Sequence, residues 1–441
     1  MDFGYVLLIL FSLLLSAQSA YSAMLMLHAW EDEETHGRNS VPATFEPPRQ
    51  RFTVLVPARH EEAVIQETIQ RVVELRYPPE LVQVLIVIEA GDSGTIAKVE
   101  EKLAALRALG VGHVRLITFA EPPINKPHGL NIGLREATGD VVTIFDAEDE
   151  PHPNILRIVD TVMTREGVGV IQCGVQLMNY ASRWFSPLNV LEYFFWFKSR
   201  LHYHASVGMV PLGGNTVFLR RELLLRLGGW DQHCLTEDAD IGIRLSVAQI
   251  PIRVLYDDEH VTKEETPPTV RQFINQRTRW DQGFLQVLGK GDWLRLPSWP
   301  QRLLAVYTLA FPLLQAVVLL YIPVSFWLMF SAKIPIGVAM VSSLPLYLLV
   351  LQFFISLVGL YEFTSIHHLR PSRLSFVWLI VTYLPYQWLL SYAALRAVWR
   401  QGLRMNSWEK TTHVGAHRTV ELAPHPIHAE TKLPEEEIAH A

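Results

Sequence analysis

The stretch TIFDAEDEP, Thr143 to Pro151, continues an apolar run from Val141 and then gathers four acids, Asp146, Glu148, Asp149 and Glu150, within five residues. The apolar part reads as a buried strand. Carboxylates crowded at a strand end repel one another unless something positive sits among them. Taken alone, the turn has two readings. It is a solvated acidic loop whose Asp149 and Glu150 favour the start of the next helix, or it is a seat for a hard divalent cation that carries substrate phosphates.

Outward from this turn the same pattern recurs. RFTVLVPARHEE (51–62) is a short apolar strand ending near Pro57, then a helix with Val64, Ile65, Ile69, Val72 and Val73 on one side. VQVLIVIEAGD (82–92) is a second strand with a Gly-containing acidic turn and a helix from about Thr95; HVRLITF (113–119) is a third strand and GDVVTIF (139–145) a fourth. Strands alternating with helices of this length predict an α/β fold, a mostly parallel sheet with helices on both faces. Ligands of such sheets bind beyond the carboxyl ends of the strands. Glu61, Glu89, Asp92 and the acids from Asp146 to Asp149 all fall at such ends, which gathers them on one rim.

The 441 residues are a prior for two or three domains. Half the chain is apolar and its mean hydropathy is +0.17, although 19% of residues are charged. The apolar excess is concentrated. No Asp, Glu, Lys or Arg occurs in Phe3–Trp30, Leu303–Ala332, Ile334–Tyr361 or Leu374–Leu395. Each window exceeds the roughly 20 residues that cross a bilayer as a helix, so four membrane segments are expected, the later three kinked at Pro312, Pro323, Pro345 and Pro385, with a re-entrant course for one window as the alternative. The first window lacks the basic start of a signal peptide and reads as an uncleaved anchor. A net charge of −6 argues against nucleic-acid binding. Cys173 and Cys234 are the only cysteines; their spacing fits no zinc site, and buried free thiols in a reducing compartment are expected.

Four stretches then stand in fixed order: PARHEE (57–62), FDAEDEP (145–151), LTEDADIG (235–242) and QRTRW (276–280). Together they resemble the inverting, membrane-bound glycosyltransferases of family 2, the group containing cellulose, chitin and hyaluronan synthases. The resemblance runs from about Phe52 to Leu288. It implies a nucleotide-diphosphosugar transferase (GT-A-like) domain with flanking transmembrane helices, a UDP-sugar or related donor, and Mg²⁺ or Mn²⁺.

The residues also carry chemistry of their own. Asp238 follows Glu237 at a helix start, where a carboxylate enters a cleft and acts as base toward an acceptor hydroxyl. The resemblance places the base at this last acid of TED. Gln276, Arg279 and Trp280 share one helix face; Arg279 suits a departing diphosphate, and Gln276 and Trp280 suit the acceptor. By resemblance, the donor contacts are Pro57, Ala58, Glu61, Asp92, Lys126 and Asp146, with Glu89 competing for the role of Asp92. Lys126 stands with Asn131 in KPHGLNIGL. The metal ligands implied are Asp146 with Glu148 or Asp149. Gly214 and Asn215 in PLGGNTVFLRR (211–221) are acceptor-side candidates. WFSPLNVLEYFFWFKSRLHY (184–203) is expected to lie in the membrane plane as an interface helix, or else to be an ordinary core helix. WEKTTH (408–413) resembles a tail motif that returns toward the active site in some family members, whereas His417, His425, His428 and His440 suggest a solvated end.

The expected organisation is a membrane helix in 1–30, a cytosolic transferase domain in 51–300, about three membrane helices in 303–397 and a tail from 398 to 441. The implied partners are a nucleotide sugar, a glycan or lipid acceptor, membrane lipid and, for a secreted product, an export partner. The implied location is an inner or plasma membrane crossed several times. Rival expectations are single sugar addition to a lipid carrier and, from another class, a non-catalytic receptor or transport subunit.

Overall fold

The computed structural model describes residues 3–30, 40–331, 334–369, 373–405, 407, 409, 411 and 413–419. Four strands anticipated above form one half of a seven-stranded sheet: β1 (Phe52–Ala58), β2 (Val82–Glu89), β3 (Val114–Phe119) and β4 (Val141–Ile144). They are parallel, in the order β3-β2-β1-β4, with Val54 level with Val84 on one side and Thr143 on the other. Alternation along the strands divides the core in two. Val54, Val56, Ile86 and Ile88 pack on Ile65, Ile69 and Val72 of α2 (Ile65–Val73) and on Val99 of α3 (Ser93–Ala108). Leu55, Leu85 and Val87 face Leu130 and Leu134 of α4 (Lys126–Glu136) on the other side.

Beyond β4, after α5 (Ile155–Glu166), the sheet continues through β5 (Val170–Cys173), β7 (Val217–Arg220) and β8 (Ile252–Leu255). β7 is antiparallel to both β4 and β5. β6 (Val175–Leu177) and β9 (Thr262–Glu264) form a separate parallel pair. The segment expected as an interface helix becomes α6 (Ser186–Phe195), a π-turn over Trp196–Arg200, and α7 (Leu201–Val207). Leu188, Val190, Leu191 and Phe194 are buried in a common core with the apolar helices below. This segment packs between the sheet domain and the apolar helices.

After α8 (Arg221–Arg226), α9 (Glu237–Val247) and α10 (Val270–Lys290) carry the TED and QRTRW residues. Among the described residues, three helices are long and apolar enough to cross a bilayer: α1 (Phe3–Leu27), α11 (Trp299–Ser331) and α12 (Ile336–Ile366). The fourth window forms α13 (Arg373–Gly402), which lies outside that set. Tyr383, Pro385, Tyr386 and Gln387 interrupt its apolar run. Its first half packs with Phe194 and Phe363, and its far end reaches α10 through Arg400 Nε, which donates to Gln282 Oε1 at 3.0 Å. α1 packs along α12 and α11 along α13, with little contact between the two pairs.

Candidate functional site

A cavity of about 560 Å³ opens at the carboxyl ends of β1, β2 and β4 and continues down between the two helix pairs. Pro57, Ala58 and Glu61 enter it after β1, Glu89 after β2, and Asp146 and Glu148 after β4. Lys126, at the start of α4, places Nζ 2.5 Å from Asp146 Oδ1 and donates to the Gly214 carbonyl at 3.2 Å. Burial opposes its charge, yet Asp146 first, then Glu237 and Asp238, hold the ammonium above the ordinary lysine range.

Glu237 and Asp238 begin α9. The Asp238 carboxylate accepts the Ala239 amide at 2.7 Å. Gly214 passes so close that a Cβ there would stand 3.1 Å from Asp238 Oδ2, which accounts for a glycine in the facing turn. Burial raises the Asp238 carboxyl, with the Ala239 amide, Lys126 and Arg279 opposing. Burial and neighbouring Asp238 push Glu237 up to about 7. Burial lowers Arg279, and Glu237, Asp238 and Asp146 resist that shift. Gln276, Arg279 and Trp280 line the same wall. Lys126, Asp146, Glu237, Asp238 and Arg279 thus converge from four separate elements.

Two of the expected residues lie outside the cavity. Asp92 caps α3 by accepting the Thr95 amide at 3.3 Å and also holds the His60 amide at 2.5 Å. It is 2% exposed, and Glu89 takes the place facing the cavity. Asp149 is fully buried. Its two oxygens accept from Asn215 Nδ2 at 3.0 and 2.9 Å, and one also accepts the Asp146 amide at 2.8 Å. It braces the acidic turn from behind, so of the two alternatives it is Glu148 that faces the cavity. Asn215 lines the cavity but spends its amide on Asp149 and on Glu264 of β9.

The tail adds a histidine to the acids of this rim. Arg396 of α13 grips Glu409 with two bonds of 2.7 and 2.5 Å, and the chain then runs past Thr411 to His413 at the acids. His413 Nε2 lies 3.1 Å from Glu148 Oε1, and its Nδ1 lies 3.3 Å from Glu61 Oε1. Despite burial, Glu148 and Glu61 lift His413 to about 9; burial in turn lifts Glu148 to about 8, with His413 pulling it down. Glu265 accepts the amides of Val414, Gly415 and Ala416, and Arg418 donates to Thr68 Oγ1 and to the Glu148 carbonyl. His417, expected in a solvated end, is buried beneath this strap. Trp408, Lys410, Thr412, His425, His428 and His440 lie outside the described residues.

Glu264, Glu265 and Gly283 escaped the sequence reading. Glu264 and Glu265 sit at the end of a three-residue strand, and nothing local marks them. Gly283, three residues after Trp280, does carry a signal: a side chain there would collide with Thr236, so glycine lets α10 press on the start of α9. Glu61, Glu148 and His413 present three donor atoms within 4.8 Å of one another. Carboxylates with an imidazole suit a borderline-hard ion such as Mn²⁺, and carboxylates alone suit Mg²⁺.

The profile described as glycosyltransferase like family 2 matches residues 47–283. The probable glycosyltransferase YdaM of Bacillus subtilis is 26% identical over 53% of this chain and 55% of its own. The beta-monoglucosyldiacylglycerol synthase of Trichormus variabilis is 28% identical over 53% of this chain and 49% of its own. The chain thus spans about half the length of these curated relatives. In fold, it is similar to the mannosyltransferase PcManGT from Pyrobaculum calidifontis, solved with GDP-Man and Mn²⁺, at a TM-score of 0.53 and 20% identity over 90% of this chain and 99% of that one.

Proposed function

The chain belongs to glycosyltransferase like family 2, and we propose that it is a membrane-embedded inverting hexosyltransferase. In this reading it takes a sugar from a UDP-sugar or related nucleotide sugar on the cytosolic face and adds it to a growing β-glycan. One observation carries the reading. The chamber where Asp238, Lys126, Asp146 and Arg279 meet is the head of a cavity whose other end runs between apolar helices. Nucleotide chemistry at one end and a passage into the membrane at the other suit a soluble donor and a membrane-directed product.

Asp238 is the base that removes the acceptor hydroxyl proton as that oxygen attacks the anomeric carbon from the side opposite the leaving diphosphate, which inverts the centre. Arg279 and Lys126 face the position where the diphosphate gains charge as the glycosidic bond breaks. Pro57, Ala58, Glu61 and Glu89 border the nucleoside end, and Trp280 with Gln276 borders the acceptor. Glu61, Glu148 and His413, with Asp146 beside them, fit a divalent cation, which when bound supplies positive charge to the diphosphate.

Beyond the chamber, neutral side chains such as Gln18, Ser19, Gln315, Ser342 and Gln352 line the passage. Hydroxyls and carboxamides suit a neutral glycan. The lining on α11 extends from Tyr307 to Phe326, about 28 Å of helix and close to the thickness of a bilayer core. With α1, α11 and α12 crossing and α13 returning along the inner face, the catalytic block and the tail share one side. A second reading, single transfer to a lipid, is favoured by the apolar walls between these polar groups and by the likeness to the Trichormus synthase. Incubating purified protein with UDP- and GDP-sugars and Mn²⁺, then reading product mass and anomeric configuration, tests the proposal. A β-linked polymer from an α-linked donor supports it; retention of configuration contradicts it, and one sugar on a lipid selects the second reading.

A further inference from the structure

The cations that line the cavity differ in one respect. Arg59 faces Glu89, Lys126 faces Asp146, Arg277 faces Glu192, and His413 lies between Glu148 and Glu61. Arg279 stands in the field of Glu237, Asp238 and Asp146. Arg200, the last residue of the π-turn before α7, lines the same cavity, and among the described residues no carboxylate pairs with it. Its hydrogen bond goes to a neutral group: Nη2 donates to Ser22 Oγ of α1 at 2.8 Å. On α11 the Tyr307 hydroxyl is closed off from solvent and has no hydrogen-bond partner among the described residues, with Ser22 and the Arg200 charge beside it.

Neighbouring rings hold the place rigid. Tyr21 of α1 donates its hydroxyl to Tyr203 of α7 at 3.3 Å, and its ring meets Tyr307 edge-on at 4.6 Å. A guanidinium without an acid and a spare hydroxyl, brought together by three elements, are donors that lack an acceptor. Such groups away from bulk water are costly unless a ligand pairs with them. A guanidinium fork matches phosphate oxygens.

Depth identifies what carries that phosphate. Ser22 is five residues from the end of α1 and Tyr307 eight from the start of α11, about 8 and 12 Å in from the helix ends beside the catalytic domain. Headgroups meet hydrocarbon at about that depth. Farther along the same helices Leu15, Phe311 and Val318 line the cavity, an apolar wall that suits an acyl chain. α1 makes little contact with α11, so a seam separates them, and Arg200 sits at its end.

We infer that Arg200, Ser22 and Tyr307 seat the phosphate of an anionic phospholipid from the leaflet beside the catalytic domain, with its chains in the seam between α1 and α11. The lipid joins the two helix pairs. Binding needs neither sugar donor nor acceptor, so this inference goes beyond the transferase reading and is tested apart from it.

Full-length protein in neutral detergent is titrated with fluorescent phosphatidylglycerol, and bound lipid is read by energy transfer from tryptophan. Saturable binding is expected in wild type. Arg200→Gln raises the midpoint by about tenfold, as loss of one charge-assisted hydrogen bond would. Arg200→Lys, which keeps the charge, stays within about threefold of wild type and separates lost binding from lost folding. A neutral diacylglycerol glycolipid displaces the probe about tenfold more weakly than unlabelled phosphatidylglycerol does. An unchanged midpoint in Arg200→Gln, or a Lys variant as weak as the Gln variant, overturns the inference. So does equal displacement by the glycolipid, and so does displacement by glycerol 3-phosphate at the lipid's own concentration, which would make the occupant a soluble phosphate. Sugar transfer to a polyprenyl phosphate that disappears in Arg200→Gln would make the seat an acceptor site and overturn it as well.

Discussion

His413 Nε2 lies 3.1 Å from Glu148 Oε1, so a residue near the end of the described chain meets the acidic turn that follows β4. The chain reaches that point through Arg396 and Glu409 and is held past it by Glu265 and Arg418. Glu61, Glu148 and His413 would hold the divalent ion. Transfer is therefore expected to stop in excess EDTA and return with Mn²⁺ or Mg²⁺. His413→Ala is expected to shift the Mn²⁺ activation midpoint upward by about 10–100-fold. Full turnover in EDTA, or an unchanged midpoint in the variant, would contradict this assignment; a metal titration of activity reads both.

The pH dependence follows from the buried acids at the start of α9. A base acts only when ionised, and burial raises Asp238 above the ordinary carboxylate range while taking Glu237 to about 7. The two are neighbours and titrate as a pair. The sign is thus fixed: kcat/KM is expected to fall as pH drops, with its midpoint above the usual Asp value. A rate flat down to pH 4 would exclude Asp238 as the base.

Gly283 tests how α9 and α10 are joined. A methyl at this position meets the Thr236 side chain at the start of α9. Gly283→Ala is expected to cost about 1–3 kcal/mol of stability through overpacking, and to lower kcat more than donor affinity because Asp238 moves relative to Arg279. A melting curve and a steady-state assay check both; wild-type values in each would show that the helices adjust freely.

Much of this arrangement is legible in the sequence, for identifiable reasons. The buried strands β1, β2, β3 and β4 announce themselves by unbroken apolar runs, and the acids at their ends mark the rim. TED and QRTRW are specific as a pair. What stayed hidden depends on distant partners. Asp149 faces inward because Asn215, 66 positions later, binds both of its oxygens. The strands β5, β7 and β8 have four residues each, too few for a period to show, and the antiparallel course of β7 has no local marker. The fourth apolar window forms α13, whose far end is tied to α10 through Arg400 and Gln282, a distant pairing that absence of charge does not reveal.

The proposed return of α13 along the inner face predicts sidedness. Cys173 and Cys234 are both buried, whereas Val414 is exposed on the strap. A membrane-impermeant thiol reagent is expected to label Val414→Cys only after cells are permeabilised. Labelling of intact cells would put the tail outside and require α13 to cross the membrane.

The central claim is that Asp238 is the base of an inverting sugar transfer. The most direct measurement compares wild type and Asp238→Asn with the preferred nucleotide sugar, Mn²⁺ and acceptor, following released nucleoside diphosphate together with donor binding. The amide keeps the shape and loses the basicity, so product formation is expected to fall by about 10²–10⁴-fold while donor affinity stays near that of wild type. Turnover in Asp238→Asn equal to wild type would contradict the account.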